Sequence, residues 1–204
     1  MKFNPRRGKA AFTLIELMAV ITIIVILAGL VVGGMGFVTE RQAKEKAKVQ
    51  IALLSKALEE YKLDMGTYPA TADITKLPTK PGGTGTSAIL YNALFYDGFE
   101  FAKDPSRKDT TPPKASKIYL ADLDPTSTKQ GWVVTQTSGD PKTSLVINDP
   151  WGNQYCYRTA LKADGTPNAA TQNPDFDLWS MGKDGASRPA TPADKNNNDD
   201  IKNF

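Results

Sequence analysis

Residues 12–38 read FTLIELMAVITIIVILAGLVVGGMGFV, and this stretch decides the fold. Glu16 is the only charged residue among these 27. A run of about 20 apolar residues is long enough to cross a bilayer as a helix. Lys2, Arg6, Arg7 and Lys9 precede it, with no acid among residues 1–11. That charge bias predicts a cytoplasmic N-terminus. A cleavable secretory signal carries an apolar region of about 7–15 residues before a small-residue site. This run is longer, and AGLVVGGMG imitates such a site only weakly, so a membrane anchor is the better reading. Glu16 needs its own reason, because a charge at the bilayer centre costs roughly 2.5–3.5 kcal/mol. It lies four residues past Phe12, roughly 6 Å deep at about 1.5 Å per residue. Position alone leaves two readings open, snorkelling to the headgroups and a functional role.

The string AFTLIELMAVITIIVILAGL resembles the N-terminal signature of type IV pilins and type II secretion pseudopilins. The resemblance implies a prepilin peptidase that cuts between Ala11 and Phe12 and methylates the new Phe12 amine. Glu16 then takes the fifth mature position, where the family carries an acid. One departure is Ala11, which stands where the family has Gly before the cut; the nearest glycine is Gly8. The resemblance also implies that the apolar helix is membrane-resident before assembly and forms the filament core afterwards. In a helical stack, the Glu16 carboxylate of one subunit meets the Phe12 amine of a neighbour. Pairing offsets the cost of burying each charge alone, which favours correct axial register. Gly29 and Gly33 have the small-xxx-small spacing that permits close helix approach. Four glycines between Gly29 and Gly36 weaken the helix locally, so a stretched segment is an expectation for the filament.

The apolar run continues as TERQAKEKAKVQIALLSKALEEYKLDMGTYP. Ile51, Leu54, Leu58 and Tyr61 form its stronger apolar stripe, and Val49, Ala52, Leu53, Lys56, Ala57 and Glu60 a second one. Gly66 marks a C-cap and Pro69 a stop. A helix from Phe12 to about Asp64 would be roughly 80 Å long, more than a small domain buries, so its first half must project into a membrane or polymer. The phrase YKLDMGTYP (61–69) resembles the helix end of the type II secretion major pseudopilin, and DPWGNQYCYR and FDLWSMGKDG resemble two later phrases of that family. The resemblance covers residues 12–69 and 145–204 and is poor between them.

In that middle region SAILYNALFY (87–96) has a helical pattern with Ser87 as its cap. KIYLADLD and GWVVTQT read as short strands. Val146 and Asn148, then Tyr155 and Tyr157, alternate across two strands joined by a DPWGN turn. The fold class is therefore α+β: a long N-terminal helix whose second half packs on a small antiparallel sheet domain with long loops. The organisation is a leader (1–11), a membrane or filament-core helix (12–38), its amphipathic continuation (39–68) and a periplasmic domain (69–204). That domain closes in a loop over 180–204.

Composition narrows the function. The chain has 204 residues, with 25 basic and 22 acidic side chains. The leader's four basic residues remove the excess, so no basic face for nucleic acid remains. There is no histidine, the commonest general base and metal ligand. The single cysteine, Cys156, excludes an internal disulfide and reads as a half-buried strand residue. No nucleophile motif accompanies it, which argues against an enzyme.

The tail holds Asp184, Asp194, Asn196, Asn198, Asp199 and Asp200. Asp194, Asn196 and Asn198 have the 1,3,5 spacing of a calcium loop, but no Gly follows at position six and no Glu closes it. On spacing alone the tail is either a solvated acidic loop or a cation site. The family resemblance implies a calcium site here, using a carbonyl at Met181 and the carboxylates of Asp184, Asp199 and Asp200, with Asp194 and Asn198 as further candidates. It also implies a helical homo-oligomer, the pseudopilus of type II secretion, that catalyses nothing. Its partners would be the prepilin peptidase, an inner-membrane platform and minor pseudopilins. The subunit would be single-pass in the bacterial inner membrane. A surface-fibre type IV pilin is the alternative; pilins of that kind commonly close this loop with a disulfide.

Overall fold

The computed structural model describes residues 12–69, 86–96, 117–126, 131–135, 145–162, 165–191 and 193–204. The leader and most of the Pro- and Gly-rich loops lie outside them. Helix α1 runs from Leu14 to Met65, within two residues of the expected start. The chain divides into two compact units, Met1–Gln42 and Ala43–Phe204. In the first unit the apolar part of α1 has a mean hydropathy of 2.9 over its best 18-residue window, none of it buried. By length and composition it can cross a membrane. The helix is unbroken through Gly29, Gly33 and Gly36.

In the second unit one face of α1 is the spine of the core. Ala47, Gln50, Ile51, Leu54, Ala57 and Leu58 are all buried, spaced by three or four residues as a single helix face requires. It includes Ile51, Leu54 and Leu58 of the stronger stripe read from the sequence, whose fourth member, Tyr61, is partly buried against the same core. Of the second stripe only Ala57 is fully buried, while Val49 stays 59% exposed. Gly66 ends the helix with φ +81°, and its N–H bonds the Lys62 carbonyl at 2.8 Å. Only glycine adopts that conformation without strain. Lys62–Asp175 at 3.0 Å and Lys117–Asp64 at 2.8 Å tie the last turn to the domain.

Helix α2 (Thr86–Tyr91) runs into a π-turn at Asn92–Tyr96. Ser87 is therefore inside the helix rather than its cap. Its hydroxyl donates to Gln154 Oε1 at 3.2 Å and accepts the Ile147 N–H at 3.2 Å. Thr86 Oγ1 likewise accepts the Tyr157 N–H at 2.7 Å. The first turn of α2 thus satisfies two strand N–H groups that a buried sheet margin would otherwise leave open.

Strands β1 (Val133–Thr135) and β2 (Leu145–Ile147) form one antiparallel pair. Strands β3 (Cys156–Thr159), β4 (Phe176–Ser180) and β5 (Ile201–Lys202) form a second antiparallel sheet in that order. The DPWGN turn joins β2 to β3, with an isolated bridge between Asn148 and Gln154. Two expectations are corrected. KIYLADLD is not a strand: the Tyr119 and Leu120 N–H groups both bond the Leu94 carbonyl, at 2.9 and 3.2 Å, and Ala121–Leu123 is a 3-10 turn. Cys156 is fully buried rather than half-buried, because β3 and β4 are covered on both faces. Tyr155, Tyr157, Phe176 and Leu178 face the main core with α1. Cys156, Trp179 and Met181, with Phe204 packed against them, make a second, smaller core under the C-terminal loop.

Leu58 has no exposed surface and closes the buried α1 face at its C-terminal end. Leu58→Ala should lower unfolding stability by about 2–5 kcal/mol, measured by denaturant unfolding of the full chain in detergent micelles.

Candidate functional site

Two places gather the residues singled out from the sequence, and each belongs to its own unit. At the N-terminus, Ala11 lies outside the described residues. Phe12 is 82% exposed. Glu16 sits in the first turn of α1, and its carboxylate faces back toward the helix start. Glu16 Oε2 accepts the Thr13 N–H at 2.9 Å and the Thr13 hydroxyl at 2.8 Å, while Thr13 Oγ1 accepts the Glu16 N–H at 3.3 Å. This is a reciprocal capping box on Thr13-Leu14-Ile15-Glu16. It satisfies helix-end N–H groups that an apolar solvent cannot. The T-x-x-E spacing is its sequence signal, and Thr13 is a residue that attention to Glu16 alone passes over.

At the C-terminus, the loop after β4 is fixed by two left-handed glycines, Gly182 and Gly185, each with φ +64°. A Cβ on Gly182 would lie 2.5 Å from the Asp199 carbonyl oxygen and 2.6 Å from its Oδ2. Asp199 therefore presses directly on this loop, and its Oδ2 accepts the Asp184 N–H at 3.0 Å. Asp184 Oδ1 accepts the Ala186 N–H at 2.8 Å. Asp200 follows, its side chain fully covered. Asp200 Oδ2 accepts from Ser187 Oγ at 2.7 Å and lies 3.5 Å from Lys202 Nζ. Its Oδ1 is buried with no hydrogen-bond partner. Burial raises the Asp200 carboxyl above its ordinary value.

Met181 is buried in the small core. Asp194 caps the 3-10 turn Lys195–Asn197 by accepting the Asn196 N–H at 3.0 Å, and it also meets Arg188 at 3.4 Å. Asn198 is exposed at the end of that turn. The structure thus brings Asp199 against Asp184 and turns Asp200 inward, while Asp194 serves the turn. Among the described residues no three acidic side chains converge into a ready-made metal cluster. A cation here would need backbone carbonyls as well. The donor chemistry suits calcium, since all candidates are hard oxygens, and the orphaned Asp200 Oδ1 is an acceptor without a donor.

Beneath this loop lies a second layer. Asp149 accepts the Trp151 N–H at 3.0 Å, the Asn153 N–H at 2.8 Å and the Ser180 hydroxyl at 2.5 Å. Burial nonetheless pushes its carboxyl up from the ordinary 3.8. In the sequence DPWGN reads as a turn and as part of a family-like phrase, with no role for Asp149.

Comparison with known proteins completes the site. Residues 6–32 match the prokaryotic N-terminal methylation motif. Such a motif at the head of an apolar helix defines the class of chain. Residues 37–110 match the family model described as type II secretion system, protein G. Type II secretion system core protein G of Pseudomonas aeruginosa is 30% identical over 181 residues, 88% of this chain and 87% of that protein. The proteins of the same name in Dickeya chrysanthemi and Aeromonas hydrophila are 40% and 42% identical over 79 and 77 residues. Those alignments take in 37% of this chain each and 52% and 54% of the relatives, so there the chain spans about half of their length. This chain belongs to the type II secretion system core protein G family.

The Asp149 shift has a definite sign. With its folded-state value raised, its contribution to stability is complete below about 3.8 and is lost as pH rises through the folded-state value. The Tm of the native chain minus that of Asp149→Asn, which stays neutral, should fall as pH rises from 3 to 7 in chelator. Calorimetric scans at each pH measure it.

Proposed function

We propose that this chain is the structural subunit of the type II secretion pseudopilus, held in the inner membrane by α1 and drawn into a helical homopolymer. The observation that carries the reading is a methylation motif and capped apolar helix joined to a domain aligned with core protein G over 88% of the chain. That alignment disfavours the surface-fibre pilin. The prepilin peptidase would cut between Ala11 and Phe12, and an inner-membrane platform and minor pseudopilins would be its assembly partners. The chain's role is mechanical: it transmits polymer growth and transforms no substrate. In the membrane, the Thr13 cap holds the Glu16 carboxylate at the helix start. In the polymer, the same carboxylate meets the Phe12 amine of a neighbouring subunit.

Calcium belongs to the same proposal. Asp184, Asp199, Asp200 and the Met181 carbonyl would hold it, with Asp194 and Asn198 as outlying candidates. The support is the buried, partnerless Asp200 Oδ1 and the contact of Asp199 with the Gly182–Asp184 backbone. The ion would supply positive charge to a loop rich in oxygens and order it where no disulfide can. Binding only the folded state at a hundredfold excess over Kd would add about 2.7 kcal/mol.

Co-expression with a prepilin peptidase should give a chain starting at N-methylated Phe12; mass spectrometry that finds an intact Met1 start overturns the processing step. Glu16→Ala should insert in the membrane yet fail to build filaments, scored by electron microscopy. The full chain in micelles should melt higher in calcium than in chelator, and Asp184→Ala should remove the difference. Equal melting temperatures in the native chain would leave the tail a solvated loop.

A further inference from the structure

The DPWGN turn reaches the C-terminal loop at three points. Asn153 Nδ2 donates to the Gly182 carbonyl at 2.7 Å. The Gly182 N–H donates to Ser180 Oγ at 3.0 Å, and that hydroxyl donates in turn to Asp149. Asn153 Oδ1 stands 2.9 Å from the place a Cβ on Gly185 would occupy. Both polar groups of Gly182 are therefore taken by the turn, directly or through Ser180. The opposite side of Gly182 is closed by Asp199. A residue held at φ +64° with its N–H and carbonyl both engaged has no freedom to rotate its peptides.

We propose that Asn153 is a positioning residue for the cation site, acting through the Gly182 peptide with Asp149 and Ser180 behind it. The inference rests on the calcium reading above and extends it. The Gly182 carbonyl is held by Asn153 and is no ligand; its capture fixes the peptide next to Met181 and the path that carries Asp184 to Asp199. Ser187 plays the matching part for Asp200. Trp179 Nε1 donates to Ser187 Oγ at 3.1 Å, and Ser187 Oγ donates to Asp200 Oδ2 at 2.7 Å. The carbonyl side of the loop is thus set by the turn after β2, and the carboxylate side by β4 through Trp179. Residues that orient the ligand-bearing chain without touching the ion govern affinity by about 10–100-fold in metal sites.

The test is calcium titration by calorimetry on the full chain in detergent micelles, for the native protein, Asn153→Ala and Asn153→Asp. Asn153→Ala should raise the calcium Kd by about tenfold or more. Asn153→Asp keeps the size of the side chain but loses the donor. Its added negative charge by itself would favour calcium, so a weaker Kd in this variant isolates the lost hydrogen bond from general electrostatics. Trypsin cleavage after the exposed Lys183 and Lys195, followed in calcium and in chelator, gives a second readout. Calcium should protect the native chain and protect the variants only at higher concentration. Native-like affinity and protection in both variants, with calcium bound by the native chain, overturns the role of Asn153 alone. No calcium binding by the native chain overturns the cation reading and this inference with it.

Discussion

One helix is apolar on every side in its first half and on a single face in its second, and the domain is built on that second half. The first half of α1 exposes apolar side chains throughout, while the second half hides a single face of Ala47, Gln50, Ile51, Leu54, Ala57 and Leu58. A small domain with short strands lacks the area to fold on sheet pairing alone. The α1 face supplies the missing apolar surface, and the two sheets and α2 cluster on it. Even its buried polar contact is specific: the Tyr155 hydroxyl donates to Gln50 Oε1 at 2.7 Å, linking helix to sheet with both residues buried.

The second layer of organisation follows from the first. With one face of β3 and β4 turned to the helix, the other needs a cover, and the C-terminal segment provides it. Trp179, Cys156 and Met181 sit under that segment, and β5 returns to pair with β4, matching Trp179 with Lys202 and Ser180 with Ile201. The buried Arg158–Asp177 pair, 2.6 Å apart, lies on these same strands. Asp177 also accepts the Gln172 and Asn173 N–H groups, so the charge is surrounded by donors, as a buried carboxylate requires.

Periodicity and punctuation carried much of this in the residues themselves. The apolar run, the Ile51–Leu54–Leu58 stripe and the Gly66 stop were legible because each is set by neighbours in sequence. The short strands were harder. KIYLADLD alternates as a strand does, yet a tertiary hydrogen bond to Leu94 decides its path. Cys156 looked half-buried because alternation says nothing of a cover built from residues some 50 positions away. β5 consists of two residues in an acidic tail, too short to leave a pattern. In the candidate site, the acidic side chains were visible as a composition, whereas Asn153, Ser180 and Ser187 were not. The parts of Asn153 and Ser180 arise from contacts across about 30 residues of chain, and that of Ser187 from contacts to Trp179 and Asp200 on either side of it, which no local spacing encodes. Thr13 is the opposite case, since its cap is written in four consecutive residues.

The two fixed ends of the C-terminal loop have a consequence for how such a chain can vary. Gly182 and Asp199 are locked together, and Ile201 is held in the sheet. Between these posts the chain leaves and returns to nearly the same place, like a staple whose legs are set in the sheet and whose crown is stitched by bonds of its own, such as the Arg188 N–H to Asn197 Oδ1 at 2.7 Å. Lengthening a loop whose ends are already joined adds only a slowly growing entropy cost, about 0.6 kcal/mol for each doubling. The crown is therefore the part of the domain where residues can be added or removed while the core beneath keeps its form, and where one subunit surface can diverge from another without disturbing the spine.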